Sequence, residues 1–331
     1  MFQYIIRRLI YIIPMLIIVS FVSFIVISLP PGDYLTTVQN RLTNQAGMSQ
    51  DQAREMAERM RSRYGLDQPF LMQYVNWIKN IVLKGDFGFS FQYNRPVSEV
   101  IWSRLGYTFL IALSAHIISV LIGVVVGIYS ATHQYSFGDN IATVFAFIGL
   151  SIPNFFFAIV IMYFLSFKLD MHVGGLFSSE YVFAPWNWAK FVDFMQHFWV
   201  PVFVVGIAGT AQNMRIMRGN LLDELQKQYV QTARAKGLTE RVVIYKHAVR
   251  NAIQPLVMYL GMSLPFLIQG AIVSSIVLQL PTTGPAFYNA LLSQDMYLAG
   301  SFLLMLAVTL VIGNLIADIL LAQIDPRVRY D

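Results

Sequence analysis

Six long apolar runs, separated by polar stretches, limit more than any other feature what this chain can fold into. They cover roughly Leu9–Leu29, Thr108–Ser130, Ile141–Phe167, Phe198–Met214, Ile253–Leu280 and Leu298–Leu321. A helix needs about 20 mostly apolar residues to cross a bilayer. The fourth run is the weakest, because Gln212 and Asn213 interrupt it. Only 12% of the residues are charged, against roughly 25% in a soluble domain. The expected class is therefore an all-α polytopic membrane protein with six transmembrane helices. The first run is too long for a secretory signal and no small-residue cleavage site follows it, so it reads as a retained helix.

Lys and Arg in short loops set orientation. With the N-terminus placed in the cytoplasm, the inside segments carry Arg7 and Arg8, eight basic residues from Arg215 to Arg250, and Arg327 and Arg329. The short outside loops carry only Lys168 and Lys190. The segment after the first span is too long for the rule to count its charges. Both termini and residues 215–250 are thus expected inside.

The chain then divides into the N-terminus with its first span (1–30), an external helical domain (31–105) and a five-helix core (106–331). Pro30-Pro31-Gly32-Asp33 ends the first span. In the external domain, Ser49-x-x-Gln52 has the form of a capping box, and Gly65 suits the residue just past a helix end. Asp67 and Pro69 can open a second helix bearing Phe70, Tyr74, Trp77, Ile78 and Ile81 on one side. Gly85–Ser90 is rich in turn residues, and Pro96–Arg104 reads as a short interfacial helix before the second span. Thr132–Asn140 reads as a short inside loop. Ser151-Ile152-Pro153-Asn154 predicts a kink in the third span. Gly123 and Gly127 have the small-x-x-x-small spacing of close helix packing. A short re-entrant helix is expected near Ala286–Leu292.

Chemistry is excluded more readily than assigned. There is no cysteine, so there is no disulfide or thiolate site. No Gly-Lys pair occurs, so the chain has no phosphate-binding loop of the Gly-x-x-x-x-Gly-Lys form. A net charge of +5 spread between apolar runs is not a nucleic-acid-binding face. The five histidines are dispersed, and no metal site is expected. Ion-coupled carriers usually place ionised groups deep in their spans. Here the spans hold mainly His116, Asn154, Gln269, Asn314 and Asp318. Weak polar lining of that kind suits passage of large mixed solutes, with His116, Asn154, Gln269 and Ser275 as candidate pathway residues. The energy would come from elsewhere.

Residues 221–256 form the polar island between the fourth and fifth spans. Leu221, Leu222, Leu225 and Tyr229 give it an apolar stripe. Ala233 and Ala235 keep side chains short, so another surface can come close. Gly237 can end the first helix without a Cβ penalty. Thr239 suits the next N-cap and Glu240 its first turn. Arg234, Lys236 and Arg241 are available to acidic groups on a partner.

Tyr229-Val230-Gln231-Thr232-Ala233-Arg234-Ala235-Lys236-Gly237-Leu238, followed by His247-Ala248-x-Arg250-Asn251-Ala252-x-x-Pro255, closely resembles the cytoplasmic coupling loop of ATP-binding-cassette importer permeases. The version here resembles the dipeptide/oligopeptide permease family, first-subunit type. Arg7-Arg8-Leu9, Arg63-Tyr64-Gly65-Leu66-Asp67-Gln68-Pro69, Gln73-Tyr74, Gly85-Asp86-Phe87-Gly88, Pro96-Val97 and Asp325-Pro326-Arg327 extend the resemblance over nearly the whole chain, in order. Two stretches depart from it. Ser275 and Pro281-Thr282-Thr283-Gly284 stand where the family usually has a Glu and a Pro-Gly-x-Gly turn. Asp170–Gly175 lacks the usual Leu-Pro pair.

The resemblance implies a type I importer permease fold in a bacterial or archaeal inner membrane, half of a peptide pathway. A second homologous permease, two ATP-binding-cassette ATPase subunits and an external solute-binding protein would be the partners, besides the lipid bilayer. ATP and Mg would sit on the ATPase subunits; this chain would bind no cofactor and would not be an enzyme. Segment 215–252 would contain the coupling loop, with Tyr229, Thr232, Ala233, Arg234, Ala235, Lys236, Gly237, Leu238, Arg250, Asn251 and Pro255 carrying the ATPase contact. Oligosaccharides and nickel chelates are the other solutes of the family. A stand-alone channel or secondary carrier, or a scaffold whose external domain does the work, are the readings from other classes.

Overall fold

The computed structural model describes residues 2–29, 34–45, 47–171 and 174–324, apart from the side chains of 2–9, 11, 41, 45, 258, 260–270 and 316–324. The expected turn at Pro30–Asp33, His172-Val173 and the Asp325-Pro326-Arg327 motif lie outside the described residues. The described part is mostly helical, and each of the six apolar runs falls on helix. Among the described residues, Val97–Thr132, Trp188–Leu225 and Met296–Leu315 are each long and apolar enough to cross a membrane. A fourth crossing results if one bent helix pair counts as a single span. The chain divides into two compact units: residues 1–106 with 282–311, and 107–281 with 312–331.

In the first unit, α1 (Phe2–Ser28) stays helical through Pro14. Helix α2 (Tyr34–Gln45), without a clear periodic signal in the sequence, precedes α3 (Gln50–Tyr64). Ser49 caps α3 by accepting the Gln52 amide at 3.3 Å, and Gly65 at φ 69° closes it. Helix α4 (Phe70–Lys84) starts after Pro69 and closes at Gly85, φ 64°. Its Trp77 is buried, stacks on Phe24 with centroids 5.6 Å apart, and donates its indole N–H to the Phe87 carbonyl at 3.2 Å. Those rings hold α4 against α1.

The stretch Gly85–Ser90 continues into a minimal hairpin, β1 (Phe89–Ser90) with β2 (Arg95–Pro96). Asp295, fully buried, accepts the Ser90 hydroxyl at 2.7 Å and the Gln92 amide at 3.0 Å. A carboxylate removed from water needs such donors. It thereby fixes the hairpin to the start of the last helix.

Pro96–Arg104 is not a separate helix. Helix α5 runs without a break over Val97–Thr132. Proline is tolerated at a helix start, and no proline follows to interrupt the backbone bonding. Val97, Val100 and Ile101 pack on Ala286 and Ala290 of the short helix α13 (Thr283–Leu292), and on Leu298, Ala299 and Phe302.

In the second unit, the rest of α5 is apolar on all sides and largely uncovered. Phe109, Leu121 and Val125 are each more than half exposed. A helix of that kind requires a non-aqueous surrounding. The third apolar run is two helices, α6 (Phe137–Ser151) and α7 (Asn154–Lys168), bent by 107° at Ile152-Pro153. The expected kink is thus a full break. Proline disfavours the helical region for the residue before it, and Ile152 is extended at φ −96°, ψ 127°. The interrupted fourth run lies within one helix of 38 residues, α8 (Trp188–Leu225). Asn213 does not end it, because its side chain is buried against the bundle.

Helices α5 and α8 cross closely. A Cβ on Gly123 would lie 2.6 Å from the Asn213 Cβ, and one on Gly127 would lie 2.8 Å from both the Met214 carbonyl oxygen and the Met217 Cβ. Ser119 donates its hydroxyl to the Gly206 carbonyl at 2.7 Å. Ser119, Gly123 and Gly127 recur every four residues, so they form one stripe. Overpacking typically costs about 1–3 kcal/mol. Gly127→Leu should lower the thermal midpoint of the detergent-purified protein by roughly 5 °C. Gly106→Leu, whose added side chain would begin in open space, should leave the midpoint nearly unchanged. Equal shifts would contradict the close crossing.

Candidate functional site

The second unit places residues 226–256 on a base formed by α8 and α5. Met217 and Leu221 of α8 are fully buried with Ile128 and Ala131 of α5. Val230, Ala233, Val243, Ala248, Ala252 and Leu256 complete this core. A two-residue turn, Gln226-Lys227, leads into α9 (Gln228–Ala235). Glu224 at the end of α8 accepts Lys227 Nζ at 2.5 Å and also the Tyr229 hydroxyl. Burial, then the Glu224 hydrogen bond, raises the Tyr229 pKa above its ordinary value, opposed by Asn251. The Glu224 hydrogen bond raises that of Lys227. Tyr229 therefore stays protonated and Lys227 charged at neutral pH.

Gly237 adopts φ +76°. Its N–H donates to the Arg234 carbonyl at 2.9 Å, and the Leu238 N–H reaches the Ala233 carbonyl at 3.4 Å. That pair of bonds is a Schellman closure, which needs a left-handed residue. The expected helix end at Gly237 is therefore present. Ala235, Lys236, Gly237 and Leu238 form an exposed rim. Ala233 is not on that rim; it is 6% exposed and packs inward. Its small size serves the joint between α9 and its base. Arg234 is paired with Glu240 at 2.8 Å, across the turn. Thr239 has an extended N-cap backbone without the side-chain cap bond its identity predicts. Thr232 donates its hydroxyl back to the Gln228 carbonyl at 2.9 Å.

After the short α10 (Glu240–Val242), residues Val243–Ala248 form a π-helix, followed by α11 (Val249–Ala252) and α12 (Gln254–Val277). The sequence reading gave a single short helix here. The spacing of the buried residues explains the difference. Val243 and Ala248 are five apart, while Ala248, Ala252 and Leu256 are each four apart. Bonding from i to i+5 brings a five-residue pair onto one face. Asn220 of α8 donates to the Ala252 carbonyl at 3.2 Å, fastening the end of α11. Arg250 and Pro255 are exposed, and Asn251 is half-buried.

Beside this base lies a cluster that the sequence reading missed. Asp139 is 1% exposed. Its two oxygens take Arg218 Nε at 3.1 Å and Nη2 at 3.0 Å. It also accepts the Ser130 hydroxyl and, at 2.9 Å, the Tyr135 amide. One carboxylate therefore joins the end of α5, the start of α6 and α8. Its local signal is Ser136-x-x-Asp139, in which Ser136 caps α6 by accepting the Asp139 amide at 3.2 Å. Nothing local names Arg218, 79 residues away.

The candidate pathway residues lie on three helices, α5, α7 and α12. His116 is half-buried on α5, and Asn154 is half-buried at the first position of α7. Ser275 is 3% exposed within α12. The Gln269 side chain lies outside the described residues. An apolar cleft of about 720 Å³ along α5–α8 is not lined by His116, Asn154 or Ser275.

Residues 123–330 match the family described as binding-protein-dependent transport system inner membrane component. Residues 1–112 match the corresponding N-terminal family. The oligopeptide transport system permease protein AppB of Bacillus subtilis (strain 168) is 36% identical over 332 residues, covering 100% of both chains. The glutathione transport system permease protein GsiC of Escherichia coli (strain K12) is 32% identical over 330 residues, again covering 100% of both.

Proposed function

The chain belongs to the family of binding-protein-dependent transport system inner membrane components, and from that premise we propose that it is one of two permease subunits forming an ATP-driven peptide import pathway. Six membrane-crossing helices, cytoplasmic termini and an external helical domain over residues 31–105 complete the proposal. Two ATPase subunits, carrying ATP and Mg, grip the segment from Tyr229 to Pro255. A binding protein delivers the solute outside. This chain needs no nucleotide or cofactor of its own. The names of the two relatives, one oligopeptide and one glutathione permease, support a peptide solute over an oligosaccharide or a nickel chelate.

The observation that carries this reading is the construction of residues 228–238. The inner face, Val230 and Ala233, is locked into the core, while Ala235, Lys236, Gly237 and Leu238 stand exposed at a closed helix end. An exposed rim on a packed base, with Ala235 and Gly237 leaving room for close approach, can be held by another protein and moved as one body. Reconstitution into liposomes tests it. The permease pair with ATPases and binding protein should take up peptide only with ATP. The same liposomes without ATPase subunits should show no uptake. Peptide uptake by this chain alone would instead establish a channel or carrier.

A further inference from the structure

The first unit contains a cleft of about 760 Å³, between one face of α4 and residues 63–68 and 86–89. Small-molecule sites typically measure about 300–1,000 Å³. Its lining combines two chemistries. Gln68, Gln73, Asn76 and Asn80 are side-chain amides; Arg63, Lys79 and Lys84 are cations, with Asp86 the one carboxylate in the lining. On α4 the amide positions 73, 76 and 80 follow helical spacing, so they share a face. Gln73 and Asn76 are also held in place. Gln73 Nε2 donates to the Leu66 and Gln68 carbonyls at 3.0 and 2.8 Å, and Asn76 Nδ2 to Gln68 Oε1 at 2.7 Å. One oxygen of the Asp86 carboxylate, Oδ1, accepts the Gly88 amide at 2.9 Å. Among the described residues, no carboxylate lies within 4 Å of Arg63, Lys79 or Lys84. Tyr64, Phe89 and Tyr297 supply ring surface, and the Tyr297 hydroxyl is fixed by donation to the Tyr64 carbonyl at 3.0 Å.

Side-chain amides can offer a donor and an acceptor, matching the groups of a peptide bond; Asn76 keeps one N–H and its Oδ1, Gln73 its Oε1 and Gln68 its amide N–H after the internal bonds. Cations without an internal carboxylate match one on a ligand, and an Arg can take it with two parallel bonds. Rings take up side-chain surface. We infer that this cleft binds a short peptide through its backbone and its free C-terminal carboxylate. An uncharged saccharide would offer the three cations no carboxylate. The inference deepens the peptide reading above and rests on it for the solute class.

Equilibrium dialysis tests it, using the assembled importer in lipid nanodiscs without the binding protein. The probes are fluorescent trialanine with a free C-terminal carboxyl group and the same peptide as its amide. The free acid should bind saturably and at least tenfold more tightly than the amide. Lys79→Glu with Lys84→Glu should remove that preference, and Asn76→Ala should weaken both probes. Elution profile and thermal midpoint check that the variants fold. Equal binding of acid and amide, or an unchanged preference in the double variant, would overturn the inference. So would a wild type that binds neither probe while the double variant loses affinity for the binding protein, since the cleft would then be a protein dock. The peptide-transport reading fails separately: ATP-driven uptake of trialanine would be absent while its binding to the cleft persisted.

Discussion

Gly237→Val should abolish ATP-driven uptake while leaving the permease folded. The left-handed φ of +76° costs a β-branched residue about 1–2 kcal/mol. Inside the chain an added Cβ would meet nothing within 4 Å, so no internal clash compounds that cost. The loss would fall on the Schellman closure, which sets where Ala235, Lys236 and Leu238 stand. Conformation and bulk can be separated, because asparagine tolerates the left-handed region. Gly237→Asn should retain more uptake than Gly237→Val. Co-purification of the ATPase subunits should fall in the same order. Normal uptake by Gly237→Val would remove the coupling role from this segment.

Replacing Asp139 by Asn should give the largest loss of stability among single polar substitutions in the second unit. The carboxylate is buried, whereas the Arg218 side chain is 27% exposed. Breaking a buried pair costs about 3–5 kcal/mol; the exposure of Arg218 moderates this toward about 2–3 kcal/mol. The thermal midpoint should fall by roughly 5–10 °C. Arg218→Lys should cost less, since it keeps a positive charge beside the buried carboxylate while the Ser130 and Tyr135 donors keep their acceptor. The charge swap Asp139→Arg with Arg218→Asp should not restore stability, because those two donors need an acceptor at position 139. A swap that restores the wild-type midpoint would show that pair charge alone matters there.

These expectations separate what was legible in the sequence from what was not. The Ser49 cap, the Gly65 and Gly237 helix ends and the Gly123–Gly127 approach all follow from local rules, and each is present. The break at Pro153 was legible as a kink, but its 107° angle was not. A proline removes backbone bonds, while the packing of both arms sets the angle. By sequence Ala233 reads as a contact residue, because small residues suit both an interface and an inward joint. Only the fully buried Val230 beside it distinguishes the two. Arg218 was counted as a basic loop charge, and its partner 79 residues away escaped any windowed reading. The chemistry of the cleft in the first unit was equally hidden, since its lining comes from separate short stretches.

The π-helix at Val243–Ala248 has one more consequence. It holds one residue of surplus winding between the rim at Gly237 and the exposed Arg250 and Pro255. An ordinary helix turns 100° per residue, so that surplus sets the angular phase between the two surfaces like the offset of a keyed shaft. Anyone grafting this segment into another permease should cut outside residues 228–256. A seam within 243–248 that drops one position would keep every proposed contact residue and still point half of them elsewhere.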